Sequence, residues 1–113
     1  MPELSFVVIK TIDPERIKRF YELLGITFEE EKHGNGPKHF AATLGSVVLE
    51  IYPLRPSETS DRTALGFTVS NVSGVFDALC AVGYVYSTPF ERDGKRIFTV
   101  FDPDGRYIEL TQK

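Results

Sequence analysis

The 113-residue chain repeats one pattern twice, with an offset of 58 positions. In the first copy, a run rich in β-branched residues leads to Asp13, a stretch with apolar residues at helical spacing, and Gly25. In the second copy, a similar run leads to Asn71, another stretch of this kind, and Gly83. Asp and Asn are typical helix N-caps, and glycine readily adopts the left-handed conformation that ends many helices. The repeat therefore predicts one supersecondary unit used twice.

Each predicted helix is followed by three more segments with strand character. They are residues 26–32, 38–44 and 47–52 in the first half, and residues 84–90, 96–101 and 106–111 in the second. The predicted fold class is α+β, with two βαβββ modules that form a curved mixed-sheet cup and carry their helices on the outside. We expect a single domain, 1–113, with repeat one at about 4–54, a connector at 53–63 and repeat two at about 63–112.

Composition excludes several classes of function. The net charge of −3 gives no basic face for nucleic acid, and one cysteine, Cys80, excludes an internal disulfide. No apolar stretch is long enough to span a bilayer, and the N-terminus does not resemble a signal peptide. The expectation is a cytoplasmic protein without nucleic-acid or membrane partners. Cys80 is expected to pack on the second helix rather than to react.

Strand alternation predicts which side chains face the hollow of the cup. Glu50 and Glu109 are equivalent under the repeat, whose offset is 59 in these last strands, and each is a carboxylate within an otherwise apolar strand. Tyr52 and Tyr107 share their faces, so an acidic and aromatic small-molecule site is predicted. The alternative is that both glutamates lie on strand faces that are simply exposed to water.

Four further residues are expected on the inward faces. Phe6 and Ala64 occupy equivalent positions at the starts of the two repeats, and Phe98 is expected to add stacking surface. His39 is a candidate base, ligand donor or structural histidine, and no nucleophile at a diagnostic spacing decides among these roles. His33, beside a glycine-rich turn, is expected to be solvated.

Three segments carry a family resemblance. They are residues 13–25, residues 48–52 and residues 102–110. In this order and spacing, the chain resembles the glyoxalase/bleomycin-resistance/extradiol-dioxygenase superfamily, also called the vicinal oxygen chelate superfamily. The resemblance covers nearly the whole chain and implies the cup-shaped fold described above. It does not specify a reaction.

The resemblance also implies where a metal would be held. Metal-using members draw ligands from four positions, which fall here on Phe6, Glu50, Ala64 and Glu109. Phe6 and Ala64 have no donor atom, and two carboxylates alone hold a transition metal poorly. No metal cofactor is therefore expected, although His39 would add a third donor in an arrangement that the family does not use.

Three functions remain open at this point. The first is a metal-free protein that binds a cationic, partly aromatic small molecule, as the bleomycin-resistance branch of the resemblance implies. The second is a metal-dependent lyase, isomerase or dioxygenase of the same superfamily, with its catalytic residues unassigned. The third is a structural or interaction module. Members of the superfamily build their cups either within one chain or across a dimer. A homodimer is expected because exposed sheet edges can pair with a second copy.

Overall fold

The computed structural model describes residues 1–85 and 87–113, which divide into two compact units. Unit 1 comprises Met1–Glu22 and Ile26–Asp61, and unit 2 comprises Leu23–Gly25 and Arg62–Lys113. The boundary after Asp61 lies within the predicted connector. The prediction that the whole chain forms one domain stays a prediction. None of the helices in the described residues is long and apolar enough to cross a membrane.

Unit 1 has the predicted βαβββ order. Its elements are β1 (Phe6–Thr11), α1 (Pro14–Glu22), β2 (Glu29–Glu31), β3 (His39–Leu44) and β4 (Val47–Pro53). The strands form sheet 1 in the order β1-β4-β3-β2. β1 runs parallel to β4, and the other neighbours are antiparallel. The parallel pair requires a crossover, which α1 begins.

Unit 2 repeats this topology. Its elements are β5 (Leu65–Val69), α2 (Val72–Ala81), β6 (Phe90–Arg92), β7 (Lys95–Phe101) and β8 (Tyr107–Gln112). Sheet 2 has the order β5-β8-β7-β6, with β5 parallel to β8. The α+β class and the two βαβββ modules are therefore confirmed.

Two predicted strands are wrong in extent. β2 covers only residues 29–31 of the predicted 26–32, and β6 begins at Phe90, where the predicted 84–90 ends. The turn at Asp93 and Gly94 fixes the β6–β7 register by pairing Arg92 with Lys95. Strand pairing therefore extends outward from the turn, and the apolar composition of the preceding residues does not decide it. Tyr86, within the predicted strand, lies outside the described residues.

The helix ends confirm the repeat. The Arg16 amide donates to Asp13 Oδ1 at 3.1 Å, and the Gly74 amide donates to Asn71 Oδ1 at 3.0 Å. Gly25 and Gly83 follow the helices with φ of +96° and +80°. Two repeat-equivalent caps and two repeat-equivalent glycines thus delimit the two helices.

Each sheet packs one face against the helix of its own unit. The buried apolar residues of unit 1 include Ile9, Ile17, Phe20, Phe40, Leu49 and Ile51, and those of unit 2 include Leu79, Phe98, Val100, Ile108 and Leu110. Phe98 was expected on an inward face of the cup, away from the helices, and this is wrong. It is fully buried, its ring meets Phe76 of α2 edge-on at 5.5 Å, and it pairs in register with Leu110. The run 97–98 is apolar on both strand faces, so alternation alone leaves its phase ambiguous.

The second helix differs from its predicted packing at its C-terminal end. Cys80 is exposed, so the expected packing role is wrong. Val82, which follows the helix, is also exposed. α2 ends at Ala81, and Val82 is the C-cap residue rather than part of the helix face that covers sheet 2.

A buried ion pair holds the turn between β7 and β8. Arg106 and the Asp102 carboxylate are both inaccessible to solvent, and Arg106 Nη1 lies 3.1 Å from Asp102 Oδ2 and 3.0 Å from Asp104 Oδ2. Asp102 Oδ1 also accepts the backbone amides of Asp104 and Arg106, each at 2.9 Å. Because each charge is paired and hydrogen-bonded, the turn tolerates their burial.

The start of the connector is fixed to sheet 1. Glu58 forms an ion pair with Lys10 of β1 and accepts the Arg55 backbone amide at 2.9 Å. The Leu54 amide donates to the Thr11 carbonyl at 2.9 Å. The hydrogen bond from Lys10, followed by that from the Arg55 amide, lowers the pKa of the Glu58 carboxyl.

Candidate functional site

The strand registers of unit 1 bring a polar set to one face of sheet 1. Glu31 on β2 pairs with His39 on β3, and Glu50 on β4 lies between Ala41 of β3 and Val8 of β1. Phe40 points the other way, because its ring lies under the Lys18 ammonium of α1 at 5.4 Å. Glu31, His39 and Glu50 therefore share the face of sheet 1 that points away from α1, here called the open face.

His39 is held firmly at the centre of this set. Its side chain is only 1% exposed, and its ring stacks on Tyr52 with centroids 4.1 Å apart and planes at 10°. Nδ1 lies 3.2 Å from the Pro37 carbonyl oxygen, which can only accept, so Nδ1 carries a proton. Nε2 faces Glu31 Oε1 at 3.2 Å. The Tyr52 hydroxyl lies 3.3 Å from the same Nε2, so this nitrogen has one hydroxyl and one carboxylate as polar neighbours.

Glu50 is a partly buried carboxylate whose neighbour in the described part of the chain is a histidine rather than a lysine or arginine. Its side chain is 18% exposed, and its Oε2 lies 3.6 Å from His39 Nε2. Among residues 1–85 and 87–113, it forms no ion pair with a lysine or arginine. Tyr52 donates a hydrogen bond to it, and burial together with the Glu50 and Glu31 charges raises the pKa of the Tyr52 hydroxyl. The negative charges of Glu50 and Glu31 therefore lie close to the ring of Tyr52.

Two residues of this cluster were missed by the sequence analysis. His33 Nε2 lies 3.6 Å from Glu31 Oε1, and the His33 and His39 rings are 5.0 Å apart. His33 is largely exposed, as expected, but it is not isolated. The sequence spacing gave a partial indication, because residues two apart on a strand point to the same face, although β2 itself ends at Glu31. Only the hairpin register, which opposes Glu31 to His39, brings the three together.

Sheet 2 places Glu109 differently. Glu109 pairs with Gly66 on β5 and with Thr99 on β7, and its side chain is 24% exposed. Arg92 of β6 donates to Glu109 Oε2 at 2.7 Å, and this hydrogen bond raises the pKa of the Arg92 guanidinium. The charge of Glu109 is thus neutralised within its own sheet, whereas that of Glu50 is not.

The remaining expected site residues lie at sheet margins. Tyr107 is exposed on the Glu109 face, and its ring meets that of Phe101 edge-on at 6.1 Å. Phe6 is exposed at the start of β1 in register with Val48, and Ala64 is exposed immediately before β5. The structure thus assembles His39, Glu50 and Tyr52 in unit 1. The prediction that Glu50 and Glu109 line one hollow stays a prediction.

The superfamily's metal ligands do not fit this chain. The four positions carry Phe6, Glu50, Ala64 and Glu109, so both nitrogen donors are missing and one carboxylate is already bound to Arg92. A transition metal needs more donors and better ones than these.

Comparison with known proteins agrees with this architecture. The model of the family described as "Glyoxalase/Bleomycin resistance protein/Dioxygenase superfamily" matches residues 3–110. Among curated proteins, no sequence gives a significant match. Solved structures with the same fold include SMU.1112c, with a TM-score of 0.74, 23% identity and 99% of each chain covered.

Two further solved structures carry functional descriptions. One is the oxidase ChaP-H1, with a TM-score of 0.81, 18% identity, and 100% of this chain and 97% of that chain covered. The other is TnmS3, an antibiotic-binding protein from Streptomyces sp. CB03234, with a TM-score of 0.77, 19% identity, and 99% and 96% covered. At these identities the likeness shows the fold alone.

Proposed function

Because the chain belongs to the glyoxalase/bleomycin resistance protein/dioxygenase superfamily, we propose that it binds a cationic, partly aromatic small molecule on the open face of sheet 1. The binding uses no metal at the superfamily's usual ligand positions. The observation that carries the proposal is Glu50, a carboxylate that is four-fifths buried beside Tyr52 and His39 and that no lysine or arginine of the described residues neutralises. A ligand that brings a positive charge or hydrogen-bond donors compensates such a group.

Aromatic surface on the same face supports this ligand class. Tyr52 lies on β4 two residues after Glu50, and Phe6 lies on the neighbouring strand β1 and is largely exposed. On sheet 2, Tyr107 and Phe101 give a second aromatic patch near Glu109. Aromatic rings bind flat ligands by stacking, while carboxylates select for positive charge. The antibiotic-binding description of TnmS3 is in keeping with this proposal.

We favour binding over the enzymatic alternative, a metal-dependent lyase, isomerase or dioxygenase. The oxidase ChaP-H1 has the same fold, but a shared fold does not imply a shared reaction. Metal-assisted chemistry at the superfamily's site needs donors that Phe6 and Ala64 lack. No residue is assigned a catalytic role here.

A matched pair of tricyclic dyes tests the proposal. Proflavine is a planar cation near neutral pH, and fluorescein is an anion of similar size. We expect saturable proflavine binding, followed by fluorescence anisotropy in the presence of EDTA, and no saturable fluorescein binding. Glu50→Gln should weaken proflavine binding about tenfold or more, because it removes a charge-assisted contact.

The control variant is Glu30→Gln, which makes the same charge change on an exposed residue one position away from Glu31 in β2. It should leave proflavine affinity unchanged. An equal loss of proflavine affinity in Glu50→Gln and Glu30→Gln would show that only the net charge of the protein matters, which would contradict the proposed role of Glu50. Equal binding of the two dyes would contradict a site selective for cations.

A further inference from the structure

We propose that the β2–β3 hairpin of unit 1 binds one divalent transition-metal ion of the zinc class through Glu31, His33 and His39. One carboxylate oxygen and two imidazole nitrogens of these residues all lie within 4.8 Å of one another. None of the three occupies a position from which the superfamily draws its ligands, and none depends on the proposed small-molecule function. The site is contained in nine residues of one hairpin.

His39 is already oriented as a metal ligand. Metal-binding histidines commonly donate one ring N–H to a carbonyl or carboxylate, which fixes the tautomer and directs the other nitrogen at the metal. Here Nδ1 donates to the Pro37 carbonyl, and the Tyr52 ring holds the plane of the imidazole. Nε2, with its lone pair, is thereby aimed at Glu31.

The spacing of the donors suits a small coordination sphere. Donors about 2.0–2.1 Å from a tetrahedral zinc ion lie about 3.3 Å from one another. Glu31 Oε1 is 3.2 Å from His39 Nε2 and 3.6 Å from His33 Nε2. Glu31 therefore needs little movement relative to either imidazole, and His33, largely exposed, can turn to complete the set.

The charge of the cluster also favours a cation. Glu31 and Glu50 both face His39 Nε2, and in the described ranges neither is paired with a lysine or arginine. Lys38, which immediately precedes β3, pairs instead with Glu15 and Glu30. A bound divalent ion would accept both the His39 Nε2 lone pair and a Glu31 oxygen, and the nearby Glu50 carboxylate would add negative charge around it. Two imidazoles and a carboxylate form a ligand set that zinc accepts.

Direct metal titration tests the proposal. Zn²⁺ is titrated into chelator-treated protein in competition with a chromophoric chelator, and Co²⁺ is used as an absorbing substitute. We expect one equivalent of Zn²⁺ and the intense visible Co²⁺ bands of a four-coordinate site. Glu31→Gln and His33→Ala should each weaken Zn²⁺ binding about tenfold or more. The double variant should bind no stoichiometric metal.

The variants are chosen so that folding does not confuse the result. His39 is buried and stacked, whereas Glu31 and His33 are accessible, so their substitution leaves the core untouched. Glu30→Gln is the matched control, with the same charge change on the neighbouring residue, and should bind Zn²⁺ as the wild type does. Saturating Zn²⁺ should also raise the melting temperature of the wild type but not of the double variant.

Three results would overturn the proposal. They are the absence of stoichiometric Zn²⁺ binding, an equal loss of affinity in Glu31→Gln and Glu30→Gln, and a Co²⁺ spectrum like that of the hydrated ion. Each is separate from the fate of the proposed function, because proflavine binding is measured in EDTA and Zn²⁺ binding is measured without dye.

Discussion

At the scale of single residues, the repeat-equivalent carboxylates of Glu50 and Glu109 have different ionic partners. Glu109 is bound to Arg92 at 2.7 Å, while Glu50 forms no ion pair with a lysine or arginine among the residues described. A charge that already has a basic partner gains little from a ligand, whereas an uncompensated one gains much. Of these two carboxylates, Glu50 is therefore the one that would gain more from a cationic ligand.

Arg106 is a fully buried charge, and the stability of the fold depends on its ion pair with Asp102. We expect Arg106→Met to lower the free energy of unfolding by roughly 3 kcal/mol, because it leaves buried Asp102 without its counter-ion. The measurement is urea unfolding. Arg96→Met, at an exposed position of β7, is the control and should change the free energy by less than about 0.5 kcal/mol. Equal losses in the two variants would show that the ion pair has no special role.

Individual site residues could be predicted where strand alternation is unambiguous. Glu50, Tyr52 and His39 lie on one face, as the polar and apolar pattern of β3 and β4 indicates. The partners of these residues could not be predicted in the same way. Arg92 reaches Glu109 only because the turn at Asp93 fixes β6, and Glu31 meets His39 only through the hairpin register. Both contacts depend on register, which composition does not encode.

At the scale of elements, β1 and the connector form one pH-sensitive contact. The pKa of Glu58 is lowered chiefly by the hydrogen bond from Lys10. A carboxyl with a lowered folded-state pKa adds stability above its unfolded pKa, and this stability is lost as the pH falls through the folded value. The connector between residues 54 and 58 should therefore loosen on acidification.

Comparison with Glu58→Gln tests this contact. At neutral pH the wild type should unfold at higher urea concentration than the variant, and the difference should vanish as the pH falls below the lowered pKa of Glu58. Amide exchange of Arg55, which donates to Glu58, gives a local reading of the same change. A difference in stability that persists unchanged at acidic pH would contradict the role given to this ion pair.

Elements were predicted well where local chemistry marks their ends. Asp13 and Asn71 begin the two helices, and Gly25 and Gly83 follow them, because capping depends on neighbouring residues alone. The short strands β2 and β6 were predicted less well, because their extent is set by pairing with β3 and β7. Local composition carries little information about such edge strands.

At the scale of the whole molecule, the repeat predicted two βαβββ modules, and the structure has them. Each sheet ends in two edge strands, β1 and β2 in sheet 1 and β5 and β6 in sheet 2. Edge strands offer backbone hydrogen bonds to a second chain. These edge strands support the expectation of a homodimer.

Sedimentation equilibrium checks this expectation. The protein at micromolar concentration should sediment with a mass twice the 12.7 kDa of one chain. The dependence of the mass on concentration gives the dissociation constant. A mass of one chain over the whole accessible range would contradict the dimer, while leaving the proposals for sheet 1 intact.

Arg92 makes the two repeats electrostatically unequal. This single side chain on a short edge strand neutralises the carboxylate of one repeat. The equivalent carboxylate of the other repeat has no lysine or arginine partner among the described residues, so the repeats differ in charge while sharing one topology. If Glu50 binds a cation as proposed, moving one basic residue from β6 to sheet 1 would transfer that capacity to Glu109.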